Sequence, residues 1–579
     1  MVCRAGHEDD PLERMRHSAA HVMADAVQQL FPQAKVTIGP AIEQGFYYDF
    51  DYAPGFTPDD LVHIEARMHE IIARNLPFTR EEVSKADARR LFTEKGETFK
   101  IEILDGIPDD SVTLYRHGAF VDLCKGPHVA RTGDIKAIKL LKVAGAYWRG
   151  DEHNPMLQRI YGTAFLTDAE LQLYLQRLEE AKERDHRRLG SRLDLFSMHP
   201  IAPGSPFFHP KGTVVYNALQ EYVRTLYRKY GYSEVVTPQV FKTELWKTSG
   251  HYEAFRSDMF LMAVDEEEYG LKPMNCPGHC YLFGLRKPSY RELPIRYADF
   301  GRLHRFEPSG TLMGLTRVRS MAQDDAHIFC TPEQLDQELT SFIAMTREVY
   351  ATFGFERIEV TLQTRPEKFL GTIERWTVAE AALRRSLEQA GFQVTELPGE
   401  GAFYGPKIGF DFRDVLDRAW TLATVQIDCA MPERFGLAYI TPEGCEAVPM
   451  MLHRAILGTL ERFIAILLEH TGGKLPLWLA PVQAVVLPIV DASIPYAHEV
   501  RDALAAAGLR VTCDERSEKL GAKIRDAQLE QIPYMLVVGK REAADRKVAV
   551  RARSGGDLGA MTIEDCVQRL QTEVDSKHV

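Results

Sequence analysis

RLHRFEPSGTLMGLTRVRSMAQDDAHIFC, residues 302–330, divides its charge sharply. Four arginines fall within 18 residues, and Asp324, Asp325 and His327 follow at once. Arg305 and Glu307 stand two apart, so in a strand both project from one face. A guanidinium can hold a phosphate oxygen bidentately, and a carboxylate accepts hydrogen bonds from an exocyclic amine, so the pair suits the phosphate and base of a nucleotide. Arg317 and Arg319 repeat the spacing after PSGTLMG, which predicts a hairpin. Spacing alone fits surface ion pairs on an exposed ribbon equally well, because Arg-x-Glu is common.

Composition narrows the class. At 579 residues the chain exceeds what one core supports, so several domains are expected. Its 45% hydrophobic and 26% charged residues are those of an ordinary globular protein. No run of about 18 apolar residues occurs, so no membrane span is expected. The opening MVCRAGHEDDPLERM lacks the apolar core of a secretion signal. Nine scattered cysteines, an odd count, fit a reducing cytoplasmic setting rather than a disulfide framework. A net charge of −12 leaves nucleic-acid binding to a local patch.

The clearest junction is LTDAELQLYLQRLEEAKERDHRRLG, 166–190. Thr167 and Glu170 have capping-box spacing, Leu171, Tyr174, Leu175 and Leu178 form an apolar stripe, and Gly190 can end the helix, which predicts one long charged linker. A second break falls at HTGGKLPLWLAPVQ. Beyond it, VQAVVLPIV, LRVTCDE, PYMLVVG and KVAVRAR read as strands, with PYAHEVRDALAAAG, KLGAKIRDAQLEQI and IEDCVQRLQTEV as helices, predicting a small α/β domain with a mostly parallel sheet. The middle region mixes strands such as FERIEVTL and TVQIDCA with the helix TVVYNALQEYVRTLYRKYG, a large α+β domain, and the first 160 residues read as a separate α+β unit. In LYRKYGYSEVVTPQ a long helix runs into a strand ending at Pro238.

Together, LYRKYGYSEVVTPQ, HRFEPSG and GTLERF resemble the three ordered motifs of the class II aminoacyl-tRNA synthetases. LKPMNCPGH, QDDAHIF, YGPKI and MLHRAILGTLERF resemble the threonyl-tRNA synthetases in particular, through essentially the whole chain. The family's small ubiquitin-like N-terminal module has no counterpart, so the chain is expected to begin at the second module. The resemblance implies a multidomain α+β protein: an editing domain (1–165), a linker helix (166–196), a class II antiparallel-sheet catalytic domain (197–474) and an anticodon-binding α/β domain (475–579).

By position in those motifs, Arg305 would bind the α-phosphate of ATP, Glu307 the adenine amine, and Arg317 and Arg462 the terminal phosphates; Lys407 joins the arginines as a catalytic candidate. Met321 and Gln426 complete the implied ATP site. Met274, Gln323, Asp325, Tyr404 and Gln426 would hold the amino acid. In-line attack of the amino acid carboxylate on the α-phosphorus expels pyrophosphate, so fixed arginines and Mg2+ supply most of the stabilisation. The resemblance also implies one Zn2+ per subunit on Cys276, His327 and His453. No spacing rule finds that set, since 51 and 126 residues separate its members; from residues alone each reads as packed core. The local CPGHC, 276–280, has finger-like spacing but nothing nearby completes four ligands.

Threonine would bind through its amino and hydroxyl groups with Asp325 accepting from the hydroxyl, which rejects valine. Serine lacks only a methyl, worth about 1–3 kcal/mol, so a second sieve is expected. HSAAH places His17 and His21 one helical turn apart, and DLCKGPH carries Asp122, Cys124 and His128. From residue types this reads as a zinc site; the resemblance points instead to a metal-free hydrolytic pocket for a seryl ester, joined by Lys100, although related alanyl editing domains use zinc there. Glu542 and Arg551 are the implied anticodon contacts.

Five departures from the family pattern stand out. Met321 replaces an expected phenylalanine in RVRSMAQDD, WTLATVQ carries Thr421, Leu422 and Ala423 where WQCGTVQ is usual, and Gln531 stands at an expected basic position. Met321 and the Thr421–Leu422 pair are expected to reshape the walls beside nucleotide and amino acid. The expected partners are tRNA(Thr), ATP, L-threonine and a second subunit in a homodimer. Two other readings are an inhibitor-tolerant second copy of the enzyme and an RNA-binding regulator without activation.

Overall fold

A computed structural model describes residues 10–151, 153–414 and 418–577, and the chain divides into two units at Glu179/Glu180. No helix among the described residues is long and apolar enough to cross a membrane.

The first unit begins with α1 (Pro11–Leu30), whose N-cap Asp10 accepts from Leu12 N and whose first position is proline, the residue whose missing N–H a helix start does not need. Its buried stripe is rich in alanine (Ala19, Ala20, Ala24, Ala26), so the helix lies close to its neighbours. One antiparallel sheet places β1 (Gly45–Asp51) between Lys35–Val36 and the C-terminal strand of the unit. A second carries β2 (Phe120–Leu123) beside Ser111–His117. In the first sheet, β3 (Ala137–Tyr147) pairs with β4 (Met156–Phe165), the strand next to β1.

The linker departs from the sequence expectation. Thr167 and Glu170 do cap α2 (Asp168–Glu183), each side chain bonded to the other's N–H. The helix stops there, and α3 (His186–Arg192) starts anew with Asp185 as N-cap, accepting from Arg187 N. An aspartate that can bond the backbone two residues ahead interrupts the helix where no glycine or proline signals it. Gly190 sits inside α3, where a Cβ would lie 2.2 Å from the Phe196 ring.

In the second unit, α4 (Pro210–Tyr230) ends on Gly231 at φ 72, a left-handed cap open to glycine at no steric cost. The following strand, β5 (Ser233–Glu234), is only two residues long and does not reach Pro238. The helix α5 (Cys276–Gly284) and strand β6 (Ile295–Asp299) come next. The opening 302–330 stretch forms the predicted hairpin, β7 (Arg302–His304) against β8 (Ser320–Ala322), then β9 (Asp325–Cys330). After these come α6 (Leu335–Thr352), β10 (Ile358–Gln363), α7 (Ile373–Gln389), β11 (Val394–Leu397), β12 (Lys407–Arg413), β13 (Ala419–Asp428), β14 (Met450–Ala455) and α8 (Leu460–Thr471).

The eight-stranded sheet runs β5-β6-β9-β14-β13-β12-β10-β11, antiparallel except for the outermost pair at each edge. Its strands alternate between two apolar destinations. Ile328, Leu452, Val425, Ile427, Ile408 and Phe410 join α4, α6, α7 and α8 in the largest core. Phe329 and Met451 point the other way and pack with Cys276, Cys280 and Phe283 of α5. One face is thus sealed by helices, and the other carries α5 and the polar residues described below.

The C-terminal segment contains β15 (Ala484–Pro488), α9 (Ile494–Ala506), β16 (Val511–Cys513), α10 (Leu520–Leu529), β17 (Tyr534–Val538), α11 (Lys540–Asp545), β18 (Lys547–Ala552), β19 (Asp557–Thr562) and α12 (Ile563–Ser576). Its sheet, β16-β15-β17-β18-β19, is parallel in two pairings and antiparallel in two, not mostly parallel. Helical crossovers build the parallel pairs, while the six-residue α11 returns β18 antiparallel to β17 and the short turn at 553–556 returns β19 antiparallel to β18. Strand β19 and helix α11 were not legible in the sequence.

Candidate functional site

One lateral row crosses the open face of the eight-stranded sheet. Lys407 stands opposite Gln426, Gln426 opposite His453, His453 opposite His327, and His327 opposite Tyr297. Residues directly opposite in an antiparallel pair share a face, so register alone brings four expected site residues side by side. Tyr404 donates to Gln426 Oε1 at 2.6 Å, and its ring centroid lies 5.1 Å from that of His453. Met274 packs in the same cluster as Cys276 and Tyr404. Lys407 has no hydrogen-bond or ion-pair partner among the described residues, and burial lowers its pKa.

Cys276 enters this row from the first position of α5. The ligand atoms of Cys276, His327 and His453 all lie within 4.8 Å of one another, and all three residues are buried. Their neighbours select which nitrogen is available. His453 Nε2 is 2.8 Å from Asp428 Oδ2, leaving Nδ1; His327 Nδ1 is 2.7 Å from His279 Nδ1, leaving Nε2. The two remaining nitrogens face each other at 2.8 Å. Tetrahedral zinc separates such nitrogens by about 3.3 Å, a small adjustment. A thiol, two oriented imidazoles and a carboxylate behind one of them fit a zinc site with three protein ligands. CPGHC does not converge as a local finger: Cys280 Sγ turns to Met451 Sδ, at 3.6 Å, and His279 turns to His327. Asp325 accepts from Asn275 Nδ2 at 3.1 Å and has an oxygen 3.9 Å from His327 Nε2, while burial raises its pKa.

The arginines lie around the β7–β8 hairpin. Arg305 and Glu307 fall beyond the end of β7, contrary to the expectation that both stand in a strand; the ladder's last rung is Arg305 N to Arg319 O, and Pro308 supplies no further donor. Arg305 Nε donates to Pro273 O at 3.1 Å, and Glu307 accepts from Arg317 Nε at 2.8 Å. Arg462 Nε donates to Thr316 O at 3.1 Å. Burial lowers the Arg462 pKa, and the charges of Arg305 and Arg317 lower it further, so the three cations lie within one another's field and suit a polyanion. Met321 is buried against Leu303 and Val318.

The sequence reading assigned no role to Asp324, which shapes this half of the site. It accepts from the backbone N–H groups of Ile456, Leu457 and Gly458 at 2.8, 3.1 and 3.1 Å, and so holds the loop that launches α8 and Arg462. Burial lifts its pKa to about 7 against the opposing pull of Arg454 and those donors. Gln323 bridges to Thr459, the N-cap of α8. Asp428 and His279 were also missed; Asp428 follows Gln426 by two in a strand, a same-face signal that was available. The expectation for Leu422 is corrected. A bulge opposite Phe410/Asp411 turns Leu422 into the helix-side core at 1% exposure, away from the row. Thr421 donates to Asp411.

In the first unit, His17 and His21 on α1 meet Cys124 and His128, their ligand atoms all within 4.8 Å of one another. Cys124 Sγ lies 3.3 Å from both His17 Nε2 and His128 Nε2. Pro127 O holds His17 Nδ1 at 3.2 Å, and Ser18 Oγ holds His128 Nδ1 at 3.1 Å. Asp122 is buried with Lys100, to which it is ion-paired, accepts from Tyr48 OH at 2.6 Å, and lies 3.7 Å from His21 Nε2. Burial lowers the pKa of His17, His21 and His128 and so favours their neutral forms. Neutral imidazoles beside a thiol can accept a proton from water.

The two anticodon candidates have different local roles. Glu542 accepts from Gly539 N at 2.9 Å and caps its own helix α11, whereas Arg551 in β18 has a buried Nε without a partner. No hydrogen bond or ion pair joins them among the described residues. Gln531, at φ 56, terminates α10.

Comparison with known proteins adds three matched regions. Residues 260–471 match a tRNA synthetase class II core domain (G, H, P, S and T), 483–573 an anticodon binding domain, and 112–161 the threonyl and alanyl tRNA synthetase second additional domain. A threonine–tRNA ligase of Dechloromonas aromatica (strain RCB) is 52% identical over 564 residues, 97% of this chain and 88% of its own. That of Oleidesulfovibrio alaskensis is 52% identical over 572 residues, 98% and 89% respectively. Among solved structures, one described as the RNA binding domain of threonyl-tRNA synthetase from Cryptosporidium parvum Iowa II superposes with a TM-score of 0.66 at 46% identity, over 67% of this chain and 98% of that one.

Proposed function

The chain belongs to the threonine–tRNA ligases, a class II aminoacyl-tRNA synthetase family, and on that premise we propose how its residues divide the work. The enzyme activates threonine with ATP, which class II synthetases take with Mg2+, and transfers it to tRNA(Thr). Its additional N-terminal domain fits editing.

Arg305 holds the α-phosphate, Arg317 and Arg462 the terminal phosphates, and Glu307 exchanges its ion pair with Arg317 for the adenine amine. These are interactions that strengthen as charge builds on phosphate oxygens during in-line attack. Lys407, whose side chain has no hydrogen-bond or ion-pair partner among the described residues, completes the cationic wall. Zinc held by Cys276, His327 and His453 would supply a Lewis-acidic position for the amino and hydroxyl groups of threonine. Asp325 accepts from the hydroxyl, so valine would leave a buried carboxylate unsatisfied. Tyr404 and Gln426, already bonded to each other, orient the amino acid beside Met274 and Gln323. Serine passes this sieve, and its ester is hydrolysed by water positioned among His17, His21, Cys124 and His128, with Lys100 fixing Asp122. We further propose a cytoplasmic homodimer whose C-terminal domain reads the anticodon through Glu542 and Arg551.

The observation that carries this reading is the lateral row Lys407–Gln426–His453–His327, which joins residues far apart in sequence on one face. Neither a regulator without activation nor an inhibitor-tolerant second copy gains support. ATP–pyrophosphate exchange over a panel of amino acids tests it: strong signal with threonine, weak with serine and none with valine is expected, and a blank panel overturns it.

A further inference from the structure

Among the convergent groups of possible metal ligands is Asp185, His186 and Glu469. Both nitrogens of His186 are already committed. Leu315 N donates to Nε2 at 3.0 Å, so Nε2 carries no proton, and Nδ1 must be the protonated nitrogen that donates to Glu469 Oε1 at 2.7 Å. Glu469 Oε1 also accepts from His186 N at 3.2 Å, and Oε2 accepts from Arg418 Nη2 at 2.8 Å. This is a tautomer-fixed bridge rather than a metal site.

The bridge ends in the loop that carries the ATP-side arginines. Leu315 is two residues before Arg317, and its neighbour Thr316 offers the carbonyl that Arg462 Nε holds at 3.1 Å. Gly314 adjoins it at φ 51, and a Cβ there would lie 2.2 Å from His186 Nε2. The imidazole is therefore pressed against the loop backbone at a position only glycine permits. His186 itself is 0% exposed and stands at the first turn of α3, while Glu469 lies in the last turn of α8, the helix that bears Arg462. One histidine thus ties both ends of α8 to the loop: Glu469 at the C-terminal end, and through Leu315–Thr316, Arg462 at the N-terminal end.

We propose that His186 is a positioning residue for ATP: by bridging Glu469 to Leu315 N it fixes Arg317 and Arg462 in the spacing that receives the terminal phosphates. A histidine that merely filled the core would need only its volume. The inference rests on the functional reading above, and it makes a distinct demand, because threonine and the seryl ester are handled by groups that do not touch this bridge.

The test uses the full chain and two variants. His186→Phe keeps the ring volume and removes both hydrogen bonds; Gly314→Ala crowds the same contact from the loop side. Pyrophosphate exchange should show the ATP KM raised about tenfold in each, with the threonine KM within about twofold and Ser-tRNA hydrolysis unchanged. Thermal stabilisation by ATP with Mg2+, which needs no threonine, should require correspondingly more nucleotide. An ATP KM within about twofold of the parent in both variants overturns the inference. So does a joint rise of both KM values with a lowered Tm, which would mark a structural role only. A parent chain that exchanges nothing with threonine overturns the functional reading instead, and the ATP-dependent thermal shift still reads the bridge.

Discussion

The Cys276, His327, His453 set and the His17, His21, Cys124, His128 set draw on the same two residue types, yet their surroundings differ in charge. Behind the first stands Asp428, bonded to His453, with Asp325 close to His327. A dication there meets anionic partners that raise ligand basicity and offset its charge. In the second, the histidines rest on a neutral carbonyl and a neutral hydroxyl, and the nearby carboxylate, Asp122, is already neutralised by Lys100. Burial differs too: all three members of the first set are buried, whereas three of the four in the second are partly open. On the proposed reading the same inventory would serve a metal in one place and an accessible water-holding pocket in the other, and the carboxylates would decide which.

The largest expected effects break this contrast at the catalytic set. Cys276→Ala or His453→Ala should remove zinc and depress threonine activation by about three orders of magnitude or more, and Asp428→Asn should cost about 10–100-fold through the histidine it orients. Metal analysis should find about one zinc per parent chain, none in the ligand variants, and undiminished Ser-tRNA hydrolysis in all three. Two zinc ions per chain would mean that the editing set also binds metal. Next in size, Cys124→Ala/His128→Ala should lower Ser-tRNA hydrolysis by about 10²-fold or more, with threonine charging and zinc content intact. Equal Ser-tRNA levels in parent and variant would remove editing from the N-terminal unit.

The two sets were unequally legible in the sequence. His17 and His21 announce themselves as i, i+4 neighbours on a helix, and Cys124 and His128 share one short segment. His327 and His453 are 126 residues apart and become neighbours only through the β9–β14 register, which no local pattern encodes. The fold shows the same division in part. Capping at Thr167 is local chemistry and was readable, whereas the helix end expected at Gly190 failed, because that glycine lies inside α3. The break at Asp185 is also local, an aspartate accepting from the backbone two residues ahead, but it was not read; the antiparallel half of the C-terminal sheet depends on which strands pair in three dimensions. Asp324 received no role from the sequence because its partners are backbone N–H groups 132 to 134 residues away.

A milder test uses pH. Burial lowers the His17, His21 and His128 pKa values, so less of each is protonated at pH 6 than of an ordinary imidazole of about 6.5. Ser-tRNA hydrolysis should therefore vary by no more than about twofold between pH 8 and 6. The sign for stability follows: below pH 6.5 the unfolded chain binds more protons than the folded unit, so the stability held above that pH declines as pH falls. A hydrolysis rate that halves near 6.5 and keeps falling would show ordinary, solvated histidines and sharpen the contrast in the opposite direction.

The smallest effects belong to the departures beside the catalytic set. Leu422 lies in the helix-side core at 1% exposure, so Leu422→Cys opens a cavity rather than a pocket. It should cost about 2 kcal/mol of stability, seen as a lowered Tm, and leave the KM for ATP and threonine unchanged. Met321 is different, because it belongs to the hairpin beside Arg305 and Arg317, the arginines proposed to hold ATP. A phenylalanine there has two opposed consequences. A ring over adenine would gain about 0.5–1.5 kcal/mol, while forcing extra bulk between Leu303 and Val318 would lose about 1–3 kcal/mol. At 6% exposure Met321 has little free space, so the ring can reach adenine only if the hairpin yields. Met321→Phe should therefore lower the ATP KM by no more than a few-fold, and lower Tm at the same time. An improved KM with an unchanged Tm would mean that position 321 faces the nucleotide, and that methionine there weakens ATP binding rather than packing the hairpin.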